Sequence, residues 1–100
     1  MKYNKLVRDN IPAIIKAKGG TLKSRKATKA EYWQKLKEKL AEEVTEFQES
    51  ENAEELADIL EVIEAIEQFK KIDKKEVAAF KRKKRRERGG FAKRIILEES

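Results

Sequence analysis

Only three residues, Ser50-Glu51-Asn52, separate two long stretches of helical periodicity in the middle of this chain. A connection that short makes the two helices antiparallel neighbours. Thr28-Lys29-Ala30-Glu31 has the pattern of a capping box and starts the first, which runs to about Glu49. Asn52 caps the second, which runs to about Phe69. Upstream, Asp9-Asn10-Ile11-Pro12 reads as a helix start with Gly19-Gly20 as its stop, followed by a basic, polar loop over residues 21–28. Downstream, Asp73-Lys74-Lys75-Glu76 opens a basic helix to about Arg88, and Gly89-Gly90 ends it. The expected fold is therefore all-α: an antiparallel helical bundle occupying residues 1–100 as a single domain. Short extended segments are expected at the termini, with Lys93–Leu97 beside Tyr3–Val7.

Composition narrows the chemistry. There is no cysteine and no histidine, which excludes disulfides, thiolate nucleophiles, Ser-His-Asp triads and imidazole–zinc sites. Apolar runs stop at three or four residues, and the first residues lack the apolar stretch of a signal peptide. A cytoplasmic protein with no membrane contact is expected. The net charge of +6 hides strong segregation. Residues 38–67 hold twelve acidic residues and one lysine, a local charge of −11 that leaves +17 on the remainder. Seven of the eight residues from Lys81 to Arg88 are basic. An acidic centre between basic ends suits a site that gathers metal cations and a polyanion.

The helical wheel sharpens this. With Leu36 at zero and about 100° per residue, Tyr32, Trp33, Leu36, Leu40, Val44 and Phe47 share one arc, and Glu43 falls inside it at about −20°. Glu46 stands at its edge. On the next helix Leu56, Ile59, Leu60, Val62, Ile63, Ile66 and Phe69 form a similar stripe. Glu55 lies within that stripe and Asp58 just beyond it. Packing the two faces brings carboxylates to the seam, where an unpaired glutamate is rare. Two carboxylates about 5 Å apart repel by roughly 3 kcal/mol at an effective dielectric near 20. Protonation, a cation from Lys39 or the basic helix, or a bound metal ion each offsets that cost. Oxygen donors without His or Cys select Mg²⁺, with Mn²⁺ as the alternative. The i,i+3 pairs Glu43/Glu46 and Glu55/Asp58 each present two donors from one helix face. Taken alone, Glu55 is equally a capping partner of Asn52, and Glu42 faces away from the stripe.

Glu42-Glu43-Val44-Thr45-Glu46, followed by Glu55-Leu56-Ala57-Asp58, resembles the EExxE…ExxD signature of the MazG-like all-α nucleotide pyrophosphohydrolases. The flanks Tyr3–Pro12, Arg88–Phe91 and Lys93–Leu97 are similar to a subfamily described as phosphoribosyl-ATP pyrophosphohydrolase-like. The resemblance implies that Glu43, Glu46, Glu55 and Asp58 are Mg²⁺ ligands. It also implies a homodimer or homotetramer with sites near subunit contacts, which agrees with the shortage of core in so small a chain.

The implied reaction is Mg²⁺-dependent hydrolysis of the α–β phosphoanhydride of a nucleoside triphosphate or related nucleotide, giving the monophosphate and pyrophosphate. Without histidine a carboxylate must take the proton if any side chain does, and Glu42 and Glu46 are the candidates. Lys81, Lys84, Arg85 and Arg88, which follow i,i+3 and i,i+4 spacings, are candidate phosphate ligands, as are Lys5 and Arg8. Tyr32 and Trp33 belong to the apolar stripe and are expected in the core. The competing reading is a non-catalytic helical protein that binds nucleic acid through residues 81–88.

Overall fold

A computed structural model describes residues 4–100 of the chain. Four helices follow one another: α1 (Ile11–Ala17), α2 (Lys29–Ser50), α3 (Ala53–Lys70) and α4 (Lys74–Arg88). No strand occurs among the described residues. None of these helices is long and apolar enough to cross a membrane.

The helix starts are chemical. The Thr28 hydroxyl accepts from the Glu31 amide, and the Asn52 side chain accepts from the Glu55 amide at 3.0 Å. Each satisfies one of the orphan donors of a first turn. The reciprocal halves of the capping boxes are not formed. The Glu31 carboxylate instead pairs with both terminal nitrogens of Arg25 at 2.6 Å, tying the 21–28 loop to α2. Asp73 accepts from Lys75 rather than from Glu76. Glu51 closes α2 in the left-handed region at φ 54°, which turns the chain into α3 within two residues. At the end of α1, Gly19 takes φ 81° and lets Gly20 donate back to the Ile15 carbonyl. Replacing Asn52 by Ala is expected to cost about 1 kcal/mol. That is a drop of about 4–8 °C in the melting temperature followed by circular dichroism.

The hairpin of α2 and α3 is the one extensive helix–helix packing among the described residues. Leu36 and Val62 are its buried apolar side chains, and Leu36 is the fully enclosed one. At the open end, away from the 51–52 turn, Phe69 meets Tyr32 edge-on at 5.2 Å and stacks on Trp33 at 6.0 Å. Lys70 and Lys37 lie over the indole. Both α2 aromatics are thus packing residues.

The α3 stripe is wider than α2 can cover. Ile59, Ile66 and Phe69 are half-buried, whereas Leu56, Leu60 and Ile63 remain exposed. Helix α4 is tied to the hairpin at its first residue, where Lys74 pairs with Glu64 at 3.0 Å, and packs little beyond it. The molecule measures 56 × 31 × 24 Å with a radius of gyration of 17.8 Å. A compact chain of this length would have about 13 Å. Its 9555 Å² of accessible surface likewise exceeds the about 5,900 Å² of a compact monomer of the same mass. The expected pairing of the termini is not observed. Ile95, Ile96 and Leu97 are about four-fifths exposed and extend without a partner strand, while Tyr3 lies outside the described residues.

Candidate metal centre

Glu43 projects from the middle of α2 into the hairpin seam, as the wheel requires, and is 6% exposed. Glu55 and Asp58, one turn apart near the start of α3, face it. One carboxylate oxygen from each of Glu43, Glu55 and Asp58 lies within 4.8 Å of the others. Three acidic side chains from two helices therefore converge where the 51–52 turn holds the helices together.

The partners of these oxygens are uneven. Lys39, one turn before Glu43, reaches its Oε1 at 3.3 Å and Glu42 at 3.6 Å. Arg8, from the segment before α1, donates to Asp58 at 2.7 Å. Two of the remaining oxygens, Glu43 Oε2 and Glu55 Oε2, are buried, and no hydrogen-bond donor reaches either. A buried acceptor left in that state costs about 1–3 kcal/mol, more when charged. The capping role weighed for Glu55 is filled by its amide, so its carboxylate is left for the cluster.

Glu46 borders this group. The carboxyl of Glu43 beside it pushes its pKa above the ordinary 4.5, reinforced by burial and by Glu42. Glu55 is raised as well, first by burial and then by Glu46, Asp58 and Glu43. Glu42 behaves oppositely. The Lys5 ammonium bonded to it at 2.8 Å, with Lys39 nearby, holds its carboxyl below the ordinary range. Of the two proton acceptors suggested by the sequence, Glu46 is thus the more basic. Glu42 is neutralised by cations.

A group whose pKa is raised on folding stabilises the native state below its unfolded value and loses that contribution as pH climbs through the folded one. Glu46 and Glu55 should therefore make metal-free protein less stable as pH rises above about 4.5, whereas the contribution of Glu42 is complete above that value and is lost as pH falls below it. Melting curves in EDTA between pH 4.5 and 7.5 should show a steeper decline for the native chain than for Glu46→Gln. Equal slopes would mean that Glu46 does not titrate against its neighbours.

Arg8 and Lys39 line a cavity of about 240 Å³ together with Lys5, Val7, Ile11, Glu43 and Asp58. A second of about 410 Å³ opens next to it among Asn4, Lys5, Leu6, Lys35, Glu38, Lys39 and Glu42. The acidic cluster consequently has a cationic rim of Lys5, Arg8 and Lys39. Lys5 and Arg8, the candidate phosphate ligands from the N-terminal segment, are brought beside the cluster and pair with the Glu42 and Asp58 carboxylates. Lys39 joins them, and its i,i+3 and i,i+4 spacing from Glu42 and Glu43 was the available signal. Lys81, Lys84, Arg85 and Arg88 are not gathered there. They are exposed on α4, with no carboxylate partner among the described residues. Asp58 stands about 20 Å along α3 from the point where α4 begins.

No protein-family model, curated protein or solved structure matches the chain.

The donor set fits a hard divalent cation. Mg²⁺ takes oxygen ligands at about 2.1 Å, so two oxygens sharing it stand at most about 4.2 Å apart. The 4.8 Å cluster needs only a small closure to meet that. Glu43, Glu55 and Asp58 would hold the ion, with Glu46 adjacent.

Proposed function

We propose that this protein is a Mg²⁺-dependent nucleotide pyrophosphohydrolase of the MazG-like type, with Mn²⁺ as an alternative ion. It would cleave the α–β phosphoanhydride of a nucleoside triphosphate or related nucleotide, releasing the monophosphate and pyrophosphate. The observation that carries the reading is the pair of buried, donor-free oxygens on Glu43 and Glu55 in a three-carboxylate cluster. Protein cations alone leave them unsatisfied. A divalent ion offsets both the repulsion and the desolvation.

When bound, the ion supplies charge that polarises phosphoryl oxygens and makes an attacking water more acidic. The chain's own residues do the rest. Arg8, Lys5 and Lys39 line the adjoining cavities, where exchange of a carboxylate for a phosphate oxygen keeps each cation paired. Glu46, which borders the carboxylate cluster without belonging to it, accepts the proton of the attacking water. Glu42, held ionised by Lys5, positions that lysine rather than taking a proton.

The active form would be a homodimer or homotetramer. Leu56, Leu60 and Ile63 follow i, i+4, i+7 spacing on α3 and are 48%, 65% and 37% exposed. A second copy packed on this stripe would complete a bundle and remove the excess surface. Leu60→Asp should then lower the sedimentation mass to that of one chain while helicity is kept. An unchanged mass would place the contact elsewhere.

The reaction is tested by incubating the protein with nucleoside triphosphates and phosphoribosyl-ATP, in Mg²⁺, Mn²⁺ or EDTA, and measuring pyrophosphate. Turnover of at least one substrate, abolished by EDTA, is expected. No turnover with either ion would remove the catalytic assignment.

A further inference from the structure

Helix α4 carries a second chemistry that the carboxylate centre does not use. Lys81 to Arg86 and Arg88 place seven cations in eight residues, all exposed. None has an anionic partner among the described residues, although Glu61, Glu64 and Glu67 stand on α3 and Glu64 reaches Lys74. At i,i+3 and i,i+4 spacings such like charges repel by about 0.2–0.5 kcal/mol per pair. Among the described residues only Glu87 lies within the run, and no ion pair forms there.

The charge also wraps the helix. At about 100° per residue, Lys84, Arg88, Lys81 and Arg85 form one flank, Arg82 and Arg86 the next, and Lys83 a third. Together they cover roughly 260°, leaving a narrow strip that holds Phe80 and Glu87. A flat anionic surface meets one side of such a rod. A groove with phosphates on both walls meets two. The major groove of B-form DNA is about 12 Å wide and admits a helix of 10–12 Å diameter. The spacing agrees too. Eight helical residues rise about 12 Å, a length over which duplex DNA carries about seven phosphate charges, matching the seven cations. Helix α4 has no extensive packing against another described helix, and every residue from Lys81 to Arg88 is exposed, which leaves the cationic faces open to a partner.

We propose that α4 is a duplex-DNA-binding arm that enters the major groove and contacts phosphates on both walls without reading sequence. The A-form major groove is deep and narrow, so double-stranded RNA is the poorer partner.

The test is fluorescence anisotropy of the full chain with a 20-base-pair duplex DNA in EDTA, between 50 and 300 mM KCl. The expected plot of log affinity against log salt is linear with a slope of about −6 for seven phosphates. Lys84→Gln/Arg85→Gln/Arg88→Gln should reduce the slope to about −4 and the affinity at least about tenfold at the lowest salt. The single change Arg86→Gln should lower the slope by about 1, keeping the test decisive if the triple variant loses helix. An RNA duplex of the same sequence should bind at least about tenfold more weakly. Glu43→Gln should leave DNA binding unaltered. The proposal is overturned by a slope that the α4 variants do not change, or by RNA duplex binding as tightly. It is equally overturned if vesicles of anionic phospholipid compete as well as unlabelled DNA. Absent DNA binding combined with dissociation of an oligomer by the α4 variants would instead make α4 a contact between copies.

Discussion

Glu43→Gln should abolish metal-dependent pyrophosphate release, by about 10³-fold or more, while leaving the helical hairpin intact. Groups that merely support a metal ligand contribute 10–100-fold, and a ligand at the centre of the cluster contributes more. The amide keeps the shape of the side chain but removes the negative charge and replaces one acceptor by a donor. That donor can reach the neighbouring carboxylates, so the metal-free variant should melt at or above the native temperature. Mg²⁺ separates the two effects. At 100 times its dissociation constant, an ion that binds only the folded state stabilises it by about 2.7 kcal/mol. Native protein should show that upward shift and Glu43→Gln should lose it. Asp58→Asn should behave alike, since Asp58 is the α3 member of the cluster that Arg8 already neutralises in part. Loss of activity together with loss of helicity would point to a structural role for Glu43. Full activity with normal metal stabilisation would remove it from the centre.

Leu36→Ala is the second large effect. Leu36 is 1% exposed and is the most deeply buried side chain of the hairpin. Truncating a leucine so placed costs about 3 kcal/mol through lost burial and a residual cavity. For a chain of this size that is a fall of about 12–24 °C in melting temperature. The loss should propagate to the acidic cluster, because Glu43 lies two turns further along the same face of α2. The variant should require much more Mg²⁺ to regain its fold. Leu40→Ala, at a half-buried position, should cost clearly less. Equal losses at the two positions would show that the core is not centred on Leu36.

The helices and the burial of Glu43 were legible in the sequence because both follow from local rules. Thr28 and Asn52 cap as their side chains dictate, and 100° periodicity alone places Glu43 among apolar residues. The cationic rim was less legible. Lys5–Glu42 and Arg8–Asp58 join residues 37 and 50 positions apart, and no local pattern encodes such pairs. The place of α4 was equally hidden. Its composition marks a basic helix, but whether it folds back over the carboxylates depends on the short turn at Lys71–Asp73 and on having an apolar face to bury. Val77 and Phe80 are its large apolar residues, and both stay exposed. Among the described residues, Lys93–Leu97 likewise meets no partner in residues 4–7. Ile95-Ile96-Leu97 has β-propensity, yet no sheet edge among the described residues is available to receive it.

Anomalous diffraction from crystals soaked in Mn²⁺ tests the centre most directly. A single strong peak, or a close pair, within about 2.2 Å of oxygens from Glu43, Glu55 and Asp58 is the predicted result. A map with no peak there, in which Lys39 and Arg8 span all the carboxylate oxygens, would contradict it.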